Sequence, residues 1–281
     1  MAKPRSQRSV AILFSEHDDP DRYVISKLAR YWREDGITVH YLFGTVLYVP
    51  ADLLILHIDL SVLPRAVLRF ARRYPQVLNH HVRDIRKRTF STLLVARDGD
   101  YKGPVIVKSN LNFGGGPESG NHPIRLVRFY HRARRLYFRL LTGNWGYRIY
   151  SSPSEVPAVI WRDPYLVVEK FVPERIGDEF AVRTFHCFGE RDSFFLLTSP
   201  EPIVKSGPAT RMHPMDPDPR LRMLRRKWKL DYGKIDYVLA EGEPVVLDLN
   251  KTIGLTDQFA NDPSVEQARR DRAQAIYEYL G

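Results

Sequence analysis

The sequence predicts an α/β fold that begins with a small doubly wound domain, and three observations predict it. Strand-like and helix-like segments alternate through the first third of the 281 residues, later segments alternate apolar and polar residues around turn signals, and no internal repeat or low-complexity tract interrupts them. With 43% hydrophobic and 12% aromatic residues, the chain has the material for two or three packed subdomains.

In order, "VAILFSE" reads as a strand, "DPDRYVISKLARYWREDG" as a helix, "TVHYLF" as a strand and "ADLLILHIDLS" as a buried strand. "PRAVLRFARRYP" is a second helical pattern. "QVLNHHVRDIRKRTFSTLLV" reads as a connection leading into a second domain, which sets a boundary near residue 84. No apolar run approaches the roughly 20 residues that a membrane span requires. The basic start "MAKPRSQRS" precedes an apolar run too short for a signal-peptide core. A cytoplasmic protein with no membrane partner is expected. The single Cys187 permits no internal disulfide and, within "FHCFG", is expected to pack.

The net charge of +10 points to an anionic partner. Much of the excess lies in residues 125–148 and 220–229, where basic side chains interleave with apolar ones at helical spacing. That is equally the pattern of a solvated basic helix face. No nucleic-acid motif accompanies it, so a nucleic acid is not an expected partner.

Three later segments carry candidate chemistry. In "VIVKSNLNFGGGPESG" a short β-branched strand delivers Lys108, and Gly114, Gly115 and Gly116 come after it. Glycines let backbone N–H groups close over phosphate oxygens while the lysine supplies a point charge, although a flexible surface loop reads the same way. The G-K-[ST] ending of a Walker A loop is absent. In "FAVRTFHCF", Arg183 projects from a strand among apolar residues, which suits either a fixed anion contact or a structural ion pair.

The third segment is "KIDYVLAEGEPVVLDLN", read as strand, turn and strand. With Gly242 at the centre of an odd-membered loop, Ile235 faces Leu249, Tyr237 faces Leu247 and Leu239 faces Val245. The same register sets Asp236 opposite Asp248, with Asn250 beside them and Lys234 across from Asn250. Two carboxylates are then about 5 Å apart at Cβ and repel unless a cation lies against them. Two carboxylates and an amide oxygen are hard ligands suited to Mg2+, whereas a loop of different parity would send the aspartates to opposite faces. A polar solvent face is the alternative.

Taken together, Lys108 with its glycine loop, "VVEKF", "GDEFAVR" and "GKIDYVL…PVVLDLNKTIG" resemble the ATP-grasp superfamily of carboxylate–amine ligases, such as D-alanine–D-alanine ligases and glutathione synthetase-like enzymes. The likeness runs from about residue 85 to 260 and implies an ATP-grasp fold behind the amino-terminal domain, with subdomains at 85–170 and 171–281. It implies that Lys87 and Lys108 contact ATP phosphates and that Gly114 to Gly116 form a flap over the triphosphate. Glu169, Lys170, Phe171 and Val172 would be the adenine hinge, and Glu179 the ribose ligand. Asp236, Asp248 and Asn250 would hold Mg2+, with Mn2+ as a substitute. Lys234 would touch the γ-phosphate, and Arg183 and Lys205 would stabilise the transferred phosphoryl group.

There are departures. Asp248 stands where the family usually has Glu, "NKTIG" lacks the usual proline but keeps Gly254, and the first 84 residues match no familiar pattern closely. The activity implied is ATP-dependent activation of a small-molecule or peptide carboxylate as an acyl phosphate, with subsequent attack of an amine to give an amide. The basic helix is expected to recruit an acidic substrate. A kinase that stops at phosphorylation and a non-catalytic nucleotide-binding scaffold are the rival readings, and a homo-oligomer is compatible with the sequence.

Overall fold

The apolar run after the basic start forms strand β1 (Ser9–Phe14), in which Val10 to Phe14 are completely buried. The computed structural model describes residues 8–143, 146–205, 210–256, 259 and 262–281. By its internal contacts the chain divides into two units, one of Met1–Asp59, Leu63–Arg83 and Pro173–Gly281, the other of Leu60–Val62 and Asp84–Val172.

In the first unit β1 is succeeded by helix α1 (Val24–Glu34), β2 (Thr38–Phe43), β3 (Leu53–Leu56), α2 (Arg65–Ala71) and β4 (Val77–Leu78). These strands form a parallel sheet in the order β2-β1-β3-β4. Right-handed crossovers in this order put α1 and α2 on opposite faces, with the direction of winding reversing between β1 and β3. The short β4 lies inside the stretch read from sequence as a connection, because two residues carry too little periodicity to register as a strand. α1 begins after a 3-10 turn capped by Asp19 and buries Ile25, Leu28, Ala29 and Trp32.

The second unit carries α3 (Lys87–Phe90), β5 (Val105–Ser109), α4 (Gly116–Asn121), α5 (Arg125–Thr142), β6 (Tyr147–Tyr150), α6 (Ala158–Arg162) and β7 (Leu166–Lys170). Its antiparallel sheet has the order β6-β5-β7 and packs Val105, Val107, Phe138, Ile160 and Val168 into one small core.

The chain then returns to the first unit through β8 (Glu174–Ile176), β9 (Glu179–Phe188), β10 (Arg191–Ser199), β11 (Arg211–Pro214), α7 (Pro219–Trp228), β12 (Tyr232–Ala240), β13 (Glu243–Asn250), α8 (Pro263–Ala273) and α9 (Ile276–Leu280). The antiparallel sheet runs β11-β10-β9-β12-β13, with β8 also pairing β9. Phe188 and Tyr232 of this sheet share a core with α1 and with Ala273, Ala275 and Ile276. The Trp32 indole donates to the Ala273 carbonyl at 2.8 Å. Among the described residues no helix is long and apolar enough to cross a membrane.

One buried side chain ties the two ends of this unit. Asn79, fully buried and in the left-handed region at φ 61°, donates from its amide to the Tyr232 and Lys251 carbonyls and accepts from the Asp231 and Tyr232 N–H groups. Replacing Asn79 with Ala strands these groups and adds strain at a positive φ, so unfolding free energy should fall by about 2–4 kcal/mol. Urea denaturation checks this, and a loss under about 0.5 kcal/mol contradicts the bridging role.

Candidate functional site

The hairpin β12–β13 turns through Glu241 and Gly242, both in the left-handed region at φ 52° and 82°. That is the two-residue type I′ turn which suits strand twist, and its parity is even. Near the turn Ala240 therefore pairs Glu243, Leu239 pairs Pro244 and Tyr237 pairs Val246. This corrects the expected odd loop, with its Tyr237–Leu247 and Leu239–Val245 pairs. The register then shifts between Asp236 and Tyr237, with Leu247 as the extra residue, and beyond this β-bulge Asp236 pairs Asp248, Ile235 pairs Leu249 and Lys234 pairs Asn250. The carboxylates do oppose each other, but a bulge rather than loop length accomplishes it.

The face they share is set by the neighbouring strand, where Asp236 pairs Thr184 and Lys234 pairs His186. The Lys234 ammonium lies 2.9 Å from the Asp236 carboxylate. Burial lowers its pKa, Asp236 and then Asp248 raise it, and the carboxylates prevail, holding it above the ordinary lysine value. A close backbone approach maintains this corner, since a Cβ on Gly233 would stand 2.2 Å from the Asn250 carbonyl oxygen.

These residues fit a divalent cation as a partial donor set. Two carboxylates and the nearby Asn250 offer hard oxygens, and the Lys234 ammonium already lies against one of them, Asp236. Among the described residues no three His, Cys, Asp or Glu side chains are grouped to bind a metal by themselves.

Arg183 is not part of this corner. It pairs Tyr237, one residue along from the Asp236–Thr184 pair, so it lies on the opposite face of the sheet. There it makes a bidentate ion pair with Glu174, at 2.6 Å and 2.9 Å to Oε1, while Glu174 also accepts from the Leu239 N–H. Of the two roles the sequence left open for Arg183, the structural ion pair is the one whose partner is in place, in Glu174. Lys205 stands in the loop after β10, where burial lowers its pKa, beside residues 206–209 that lie outside the described set. Glu179 opens β9 at 3.6 Å from Arg211.

In the second unit Lys108 is buried and pairs with fully buried Glu169 at 2.5 Å. Buried Lys87 points Nζ at the Leu111 carbonyl, 3.5 Å away, at the root of the glycine loop. In that loop Phe113, Gly114 and Gly115 have φ of 45°, 63° and 76°, three successive left-handed residues that glycine makes affordable. The loop is anchored as Asn112 donates its N–H to Ser61 Oγ, and the Ser61 N–H donates to Glu118. In the stretch expected to read the adenine, the Lys170 N–H donates to the Leu93 carbonyl and the Phe171 N–H to the Pro104 carbonyl.

The residue-by-residue reading missed a cluster at the carboxyl ends of β1 and β3, the place where an open parallel sheet takes ligands. The Tyr23 hydroxyl donates to Asp18 at 2.9 Å and lies 3.1 Å from Asp59, and Thr252 donates to Asp59 at 2.8 Å. Burial raises the Asp18 pKa, with the Tyr23 hydrogen bond opposing. His57 is fully buried between Phe14 and Tyr23, and its two ring nitrogens, with Ser15 Oγ and Asp18 Oδ2, lack hydrogen-bond partners among the described residues. The acidic ends "SEHD" and "HID" after two apolar runs were the available signal. Cys187 is buried, its thiol pushed up to about 12 by burial, and so packs as expected.

No protein-family model matches the sequence, and no curated protein matches it. Solved structures do match. D-cycloserine synthetase DcsG aligns with a TM-score of 0.52 and 16% identity over 97% of this chain and 100% of its own. The macrocyclase MdnC bound with precursor peptide MdnA, from Microcystis aeruginosa MRC, aligns at 0.52 and 10% identity over 96% and 99%. A RimK domain ATP-grasp protein from Sphaerobacter thermophilus DSM 20745 aligns at 0.50 and 13% over 97% and 99%. The protein thus has the ATP-grasp α/β fold.

The burial of His57 makes stability depend on pH. Its pKa is lowered from 6.5 to about 3, so the unfolded chain takes up a proton that the folded chain refuses. The resulting stability is fully present above 6.5 and is lost as pH falls toward 3. Between about pH 6.5 and 4.5 the melting temperature of His57→Phe should fall less than that of the wild type, and parallel melting curves contradict the assignment.

Proposed function

We propose that the protein is an ATP-dependent carboxylate–amine ligase that forms an amide or peptide bond through an acyl phosphate. The observation that carries this reading is the opposed Asp236 and Asp248 with Lys234 and Asn250 at the same corner. In this reading Asp236, Asp248 and Asn250 hold Mg2+, which neutralises phosphate charge during transfer. Lys87, Lys108 and Gly114 to Gly116 bind phosphates, Glu169 to Val172 and Glu179 bind the nucleoside, and Lys234 and Lys205 offset charge on the moving phosphoryl group. A substrate carboxylate oxygen attacks the γ-phosphorus as the bond to ADP breaks. The amine then attacks the acyl carbon, phosphate leaves, and the amine loses its proton.

The cluster at the ends of β1 and β3 supplies what the amine needs. Asp18 and Asp59 attract an ammonium at this cluster. The glycine loop excludes water from the acyl phosphate.

Screening ADP release with amino acids and small peptides, singly and in pairs, with mass spectrometry of the product, tests the reading. A pair that releases ADP and yields an amide supports it, and Asp248→Asn should lower that rate by about 100-fold or more. A stable phosphorylated product with no dependence on amine would make the protein a kinase instead. Tight binding of Mg-ATP with no ADP from any acceptor would make it a binding module.

A further inference from the structure

Helix α5 carries an outward seam that no part of the proposed chemistry uses. Leu126, Phe129, Leu136 and Leu140 are 77%, 70%, 62% and 77% exposed, and exposed Ala133 completes a spacing of three, four, three and four residues. That spacing is the a/d pattern of a helix that packs on another helix. The buried side chains His131 and Phe138 fall at the f positions, opposite the seam, so α5 rests on its own unit by one side and offers the other. The g positions, directly beside the seam, are Arg125, Arg132 and Arg139. Glu118 and Glu155 are the nearest acidic residues on either side, so the stretch contains no carboxylate of its own to pair with them.

We infer that this face of α5 docks a partner helix that presents an apolar seam flanked by carboxylates. The apolar stripe runs along the a and d positions with Tyr130 and Tyr137 at e, and it is bounded on the other side by an arginine next to each a position, which matches a coiled-coil seam with one charged flank. A second copy fits less well, because an antiparallel pair would set arginine against arginine and a parallel pair would face the arginines with Tyr130 and Tyr137 at the e positions. An acidic helix neutralises all three arginines and covers the leucines together.

The probe is a synthetic three-heptad helix with Leu at a and d and Glu at e and g, labelled for fluorescence anisotropy and titrated with the full chain. Its counterpart carries Lys at e and g. The Glu peptide should bind at least about tenfold more tightly than the Lys peptide and weaken with added salt. Phe129→Ser should weaken its binding by a similar factor. The triple variant R125E/R132E/R139E should reverse the preference toward the Lys peptide. Because Arg132 also donates to the Ser119 carbonyl, the double variant R125E/R139E, which spares that bond, should shift the preference in the same direction. Equal binding of the two peptides, or no shift in the charge-reversal variants at unchanged melting temperature, overturns the inference. So does stronger binding to phosphatidylglycerol vesicles than to the Glu peptide, or a doubled mass in sedimentation that Phe129→Ser abolishes.

Discussion

Two carboxylates facing each other on adjacent strands destabilise a sheet unless positive charge lies against them, and the carboxy-terminal sheet is organised around that constraint. Lys234 meets it from the same strand as Asp236, two residues away, where alternation returns the side chain to the same face. The arrangement survives a turn of the wrong parity only because Leu247 is bulged, and it survives the close approach of β12 and β13 only because residue 233 has no side chain. The Lys234 ammonium beside Asp236 is thus part of how the fold accommodates the two facing carboxylates.

The other buried charges obey the same rule with different partners. Lys108 is matched by Glu169, and Arg183 by Glu174. Removing one member of such a pair leaves an uncompensated charge in a low-dielectric setting, so these pairs hold geometry even where their net contribution to stability is small. The difference lies in what each pair faces. Glu174 also caps the Leu239 N–H and so belongs to the architecture of the sheet. Lys108 stands near the end of a strand that leads toward three left-handed loop residues.

The first unit joins the two ends of the chain. α1 packs in one core with Phe188, Tyr232 and Ile276, and Thr252, just past the hairpin, hydrogen-bonds Asp59 at the end of β3. The aspartates of the hairpin and the acidic cluster at the ends of β1 and β3 are therefore set by one continuous body of packing.

Local pattern determined a good deal by itself. The alternation of strands and helices, the Lys108 strand with its glycines and the facing of Asp236 and Asp248 were legible because period, turn residues and face are written within a few residues of one another. The tertiary structure alone decided the rest. An even turn and a bulge produce the same carboxylate pairing as an odd turn without one, so the route to the register lay outside the local pattern. Whether Arg183 serves an external anion or a carboxylate of its own chain depended on Glu174, nine residues away on a strand that loops back. The cluster of Asp18, Tyr23, His57, Asp59 and Thr252 spans most of the chain, and a sequence does not record which of its distant polar residues folding will bury together.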